Sequence, residues 1–277
     1  YAPNLFSGNF WSANATLVSN SFNALGIRLN GTINESNDYF EPRENVIGEK
    51  YFIRPVWTST RVWFSSNYQK RFAQDLGIGY VFVERDNWWE WNYDFETRLR
   101  ITNRLFLIHF WEQRFQYNSE GYAVSFGAPE FLSNETVFGN RNRLTTTQTL
   151  GIDYTLTNRI GITFRLRNYN AKIKYNSFSE LLENGRLVNL DNYSGKDING
   201  NSIYDINYNA FTIDMLFRWV FFPGSELNIV WKSSIFNSNE NVDLNYWTTF
   251  TSSIDNGPMN TLSIKLIYWL DAQYLKK

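Results

Sequence analysis

FTIDMLFRWVFFPGSELNIVWK, residues 211–232, alternates with a period of two on both sides of a turn. Phe211, Ile213, Met215, Phe217, Trp219 and Phe221 share one face of the first run, and Thr212, Asp214, Leu216, Arg218 and Val220 share the other. That period belongs to a β-strand, whose side chains point alternately to the two faces of a sheet. Pro223 and Gly224 supply the preset and the positive φ that a tight turn wants. The stretch therefore predicts a hairpin of two long strands with one apolar, aromatic face.

The same scheme extends outward. TLSIKLIYWLDAQ (261–273) sets Leu262, Ile264, Leu266, Tyr268 and Leu270 against Ser263, Lys265, Ile267, Trp269 and Asp271. LGIDYTL (150–156), IGITFRL (160–166), LGIGYVF (76–82) and YDFETRLRI (93–101) repeat it, and YFIRPVWTSTRVWFSSNY (51–68) reads as one continuous strand. In all, the pattern predicts eleven long strands and no helix of more than two turns, the best helical candidate being FSELLENGR (178–186).

Connections fall into two alternating classes. Tight ones lie at 19–23, 67–71, 102–104, 157–159 and 222–225, and ITNRL and LTNRI are nearly the same turn written twice. Longer ones lie at about 35–50, 84–90, 119–140, 179–207 and 239–257; they hold 19 of the 27 acids but only 5 of the 26 bases. Short turns on one side and long loops on the other are the pattern of a transmembrane β-barrel, with its turns in the periplasm and its loops outside. Propellers, solenoids and sandwiches have shorter strands and need a second layer over a face this aromatic.

Composition narrows the function. With 277 residues and no shift in composition, the chain is read as one domain, 1–277. There is no cysteine, and His109 is the single histidine, so thiolate and multi-histidine metal sites are excluded. The longest apolar run is LFLIHFW (105–111), whereas a spanning helix needs about 20 residues. A net charge of −1 argues against a nucleic-acid partner, which would demand a dominant basic face. Parity adds one expectation: a single-chain barrel ordinarily has an even strand count, so an intact barrel of twelve or more strands would have at least one strand upstream of Tyr1.

YNAFTIDMLFRWVFFPGSELNIVWKSSIF (208–236) and NTLSIKLIYWLDAQYLKK (260–277), with YFIRPVW (51–57), FSSNYQKRF (64–72) and VFGNRNR (137–143), resemble the C-terminal barrel of an uncharacterised Bacteroidota outer-membrane family, a domain of unknown function. The resemblance implies an outer-membrane location in a Gram-negative bacterium. It also implies, in fuller members, an N-terminal module similar to family-nine carbohydrate-binding domains. It transfers no catalytic residue.

The inward faces then carry Arg61, Asp75, Asp94, Glu96, Arg98, Arg100, Asp153, Arg165, Arg167, Asp214, Arg218, Lys232, Lys265 and Asp271. Such charges either ring a water-filled path or pair across strands, as Asp214 and Lys232 would. Asp94 and Glu96 have the spacing of a glycosidase pair, but alternation places carboxylates so by chance, and no enzymatic activity is expected. KDINGNSIYD (196–205) lacks the Gly and Glu of a calcium loop, so no cofactor is expected beyond calcium held loosely in the outer loops. Trp89, Trp91, Tyr93 and Phe221 fall on the apolar face near the strand ends, where a barrel carries its aromatic girdles, and Trp88 alone of the cluster faces the other way. The expected function is an outer-membrane pore, anchor or subunit of a surface assembly, touching lipid, lipopolysaccharide and other surface proteins. The alternative is a carbohydrate-binding or carbohydrate-processing surface protein that the barrel merely anchors.

Overall fold

In the computed structural model, which describes residues 5–44, 48–85, 87–123, 136–255 and 257–270, the alternating runs become one antiparallel meander. It begins with β1 (Phe10–Val18) and β2 (Ala24–Thr32). β3 (Ser36–Asp38) and β4 (Phe52–Arg54) pair separately within the next connection. The meander resumes with β5 (Trp57–Ser65), β6 (Phe72–Val83), β7 (Trp89–Arg100), β8 (Leu105–Tyr122), β9 (Val137–Thr157) and β10 (Ile160–Leu181). A short β11 (Leu187–Asn189) turns back on β10, and β12 (Ile206–Phe222), β13 (Ser225–Asn239) and β14 (Met259–Ile267) complete the sheet. Leaving aside β11, the sheet path has the eleven strands expected, joined at one end by the five tight turns. The twin turns are built alike: the Thr102 and Thr157 hydroxyls accept the backbone N–H of Arg104 and Arg159. Among the described residues β1 and β14 do not pair with each other, so the sheet has a seam.

Cross-strand partners share a face, so the registers sort every side chain. Ile27, Val62, Ile78 and Tyr93 form an apolar row across β2, β5, β6 and β7; Ile162, Phe217, Ile229 and Ile264 form another across β10, β12, β13 and β14. Leu25, Leu76, Ile78, Leu262, Ile264 and Leu266 on this face are exposed. No described protein element covers the lower part of it, whereas a contiguous patch of this size calls for a lipid or protein cover. The buried apolar residues gather instead at the loop end, where Phe52 packs with Phe138 and Leu181, and Phe178 with Ala123, Val137 and Tyr204.

Three expectations are corrected. Residues 51–68 are not one strand: Pro55, which has no N–H for a ladder, separates β4 from β5. FSELLENGR is not helical; Phe178–Leu181 end β10, and Gly185 at φ +78° turns the chain into β11 with Leu182 N–H bonded to the Arg186 carbonyl at 2.9 Å. Conversely, α1 (Tyr246–Ile254) forms in the connection between β13 and β14, although YWTTFTSSI is rich in strand-favouring residues. Its start is fixed by Asn245, whose side chain accepts the Thr248 N–H at 2.8 Å.

Docking supplies what propensity lacks. Above the apolar band the same sheet face turns polar, with Asn168, Asn170, Asn207 and Asn209 buried beneath α1. Asn207 donates to Thr249 at 3.2 Å and Asn209 to Ser253 at 2.9 Å. Tyr246 donates to Asn168 at 2.8 Å, and burial pushes its phenol up to about 12. Each amide left unpaired there would cost about 1–3 kcal/mol, so the helix is held by satisfied polar groups as much as by Phe250 on Phe211.

Candidate functional site

The polar face of the sheet divides into two halves. Across β5–β8 three of the four arginines on this face are met by a carboxylate. Arg61 lies 2.5 Å from Asp94, Arg98 2.6 Å from Glu96, and Arg114 3.6 Å from Glu112. Arg98 also covers the Tyr68 ring at 4.2 Å, and Tyr68 and Ser65 both donate to Asp75. Space for this network is made by glycine: a Cβ at Gly77 would strike the Arg61 guanidinium and the Asp94 carboxylate. Arg100 lies exposed at the turn end of β7.

Across β9–β14 pairing is incomplete. Thr163 donates to Asp153 at 2.9 Å, and Arg218 meets Glu226 at 2.6 Å. Asp214 stands opposite both Arg165 and Lys232 in the ladder, yet its ion pair is with Arg167 at 3.4 Å. The pairing of Asp214 with Lys232 suggested by register is therefore not the one made. Arg165 and Lys232 are exposed and make no ion pair among the described residues; they line a cavity of about 700 Å³ with Arg167, Asp214 and Thr261. Lys265 lies on the same face, opposite Asn228, while Asp271 lies outside the described residues.

At the loop end the connections are tied into a roof. Glu35 takes both Arg186 nitrogens at 2.9 and 2.8 Å, Arg85 reaches Glu120 at 2.9 Å, and Arg141 lies 3.9 Å from Glu41. Each of these bases holds an acid from another connection, which gives part of the loop acidity a structural use. Trp88 donates to Glu90 at 3.3 Å, an oxygen that also accepts Gln116 at 2.7 Å. In KDINGNSIYD the Asp197 carboxylate accepts the N–H groups of Asn201 and Asn199, which hold its carboxyl below the usual range. The loop closes on itself as a turn, with Gly200 at φ +84°.

The aromatic levels sit on the apolar face. Near the loop end Trp89 stacks on Tyr117 at 4.0 Å and Trp91 on Phe115 at 4.4 Å, with Tyr93 beside it at 5.6 Å. At the turn end Phe221 stacks on Tyr268 at 6.3 Å. Replacing Trp89 and Trp91 together by Ser removes both stacks, an expected loss of about 1–3 kcal/mol. The temperature at which the folded band disappears in unboiled gel electrophoresis should fall accordingly.

Known proteins place this geometry. A search of curated proteins gave no match. The solved structure of the copper transporter OprC, an outer-membrane β-barrel, is similar with a TM-score of 0.50 at 11% identity, over 96% of this chain and 44% of that one. The chain thus spans less than half of that barrel, and the likeness is one of fold. A family model described as a domain of unknown function, DUF5916, matches residues 1–277. The chain belongs to the DUF5916 family.

Proposed function

We propose that this chain forms the wall of an outer-membrane pore in a Gram-negative bacterium, with the apolar face against lipid and the charged face lining a water-filled path under the roof of loops. The observation that carries the reading is the opposition of the two faces of one sheet. One is an apolar band between two aromatic levels, and the other is an array of charges around a cavity of about 700 Å³. A membrane admits strands only where every backbone group is paired, so the edges β1 and β14 must also be covered; further strands of the same polypeptide would do this. The roof would restrict entry from outside, and its acids would meet lipopolysaccharide through divalent cations. No bond-making step is assigned to the charged face.

Single-channel recording on the full-length protein in planar bilayers tests this. Discrete conductance steps are expected, larger when Arg186→Ala unties the roof from Glu35. A background-level current from correctly inserted protein would refute the pore and leave the barrel as an anchor for a surface module.

A further inference from the structure

We propose that the charged face between β10 and β14 holds a binding site for a small water-soluble oxyanion of the phosphate or carboxylate class. Access to the site rests on the pore reading; its chemistry does not. Arg165, Asp214, Lys232 and Thr261 form one row across four neighbouring strands, and Arg167 stands two residues along from Arg165 on the same face. Three cations therefore surround one carboxylate. That carboxylate is engaged by Arg167 at 3.4 Å, and Arg165 and Lys232 have no anionic partner among the described residues.

The contrast with the other half of the same face argues against a general surplus of base. Arg61 reaches the Asp94 carboxylate across β6, and Arg98 and Arg114 each have a carboxylate on their own strand, so the sequence supplies acids where a structural network is wanted. In the β10–β14 half it leaves a local excess of two positive charges around open space. The cavity of about 700 Å³ holds a small anion with its bridging waters. Arg165 offers a planar fork of donors that fits two oxygens of a phosphate or carboxylate at once, Lys232 a compact charge across from it, and the Thr261 hydroxyl a neutral donor. Asp214 has two effects. It fixes Arg167, and it lowers the net charge, so the anion is drawn in yet free to leave, which a conducting path requires.

The test uses full-length protein in detergent and inorganic phosphate as the probe, with binding read by equilibrium dialysis at neutral pH. Saturable binding is expected for the unaltered protein. Arg165→Gln with Lys232→Gln should weaken it about tenfold or more, the scale of losing charge-assisted hydrogen bonds, while Lys70→Gln in a tight turn leaves it unchanged. Asp214→Asn should tighten it, a change of opposite sign that a folding defect would not produce. Added succinate should compete with phosphate. Equal phosphate binding in the unaltered protein and the double variant, or none in either, overturns the site, as does weaker binding in Asp214→Asn. Phosphate binding without conductance would instead defeat the pore and leave the site standing.

Discussion

Replacing Phe164 by Arg should cost about 2–4 kcal/mol of barrel stability, the penalty for a cation on the lipid face near the bilayer midplane. Phe164 lies in the centre of the apolar run Ile160, Ile162, Phe164 and Leu166 of β10, and its partners Ile152 and Met215 on the flanking strands are apolar too. Thr163→Arg, one residue away, places the same charge on the face of Arg165 and Asp153 and should be tolerated. Urea unfolding of the two variants refolded into lipid vesicles measures the difference. Equal losses would mean that the two faces are not in different solvents.

A second large effect is expected at the loop end. Phe178 is buried among Tyr204, Tyr193 and Tyr175, with ring centroids 4.4, 5.2 and 5.6 Å away. Phe178→Ala should cost about 3–5 kcal/mol of local stability, because the rings around it are held by strand and turn and cannot all close on the gap. Since this cluster lies outside the meander's apolar band, the loss should be confined to the roof. Limited proteolysis should then cut within the connection between β10 and β12 while the membrane-embedded strands remain protected. Protection of that connection at the level of the unaltered protein would contradict the account of the roof.

The strands were legible because their causes are local. A period of two, Pro223 and Gly224, and the paired Thr-Asn-Arg turns need no distant partner to act, and the meander follows from their order. What was misread depends on contacts the sequence does not display. Residues Tyr246–Ile254 read only as part of a long connection, and the helix forms there because Thr249 and Ser253 meet the buried Asn207 and Asn209. FSELLENGR has helical spacing, but Phe178 and Leu181 are claimed by two separate clusters of the roof, Leu181 with Phe52 from the connection after β2. Pro55 divides residues 51–68 for a local reason, its missing N–H. At the candidate site the charges on the inner face could be named from alternation alone. Which of them pair could not: Asp214 faces two cations in the ladder and chooses a third one diagonal to it, a matter of side-chain reach rather than register.

The central claim is that the two faces of one sheet lie in lipid and in water, and the absence of cysteine makes it directly measurable. Single cysteines placed in turn at positions 160 to 167 of β10, in full-length protein inserted in membranes, can be challenged with a membrane-impermeant maleimide. The account predicts labelling at 161, 163, 165 and 167 and protection at 160, 162, 164 and 166. Uniform labelling, or the alternation in the opposite phase, would contradict it.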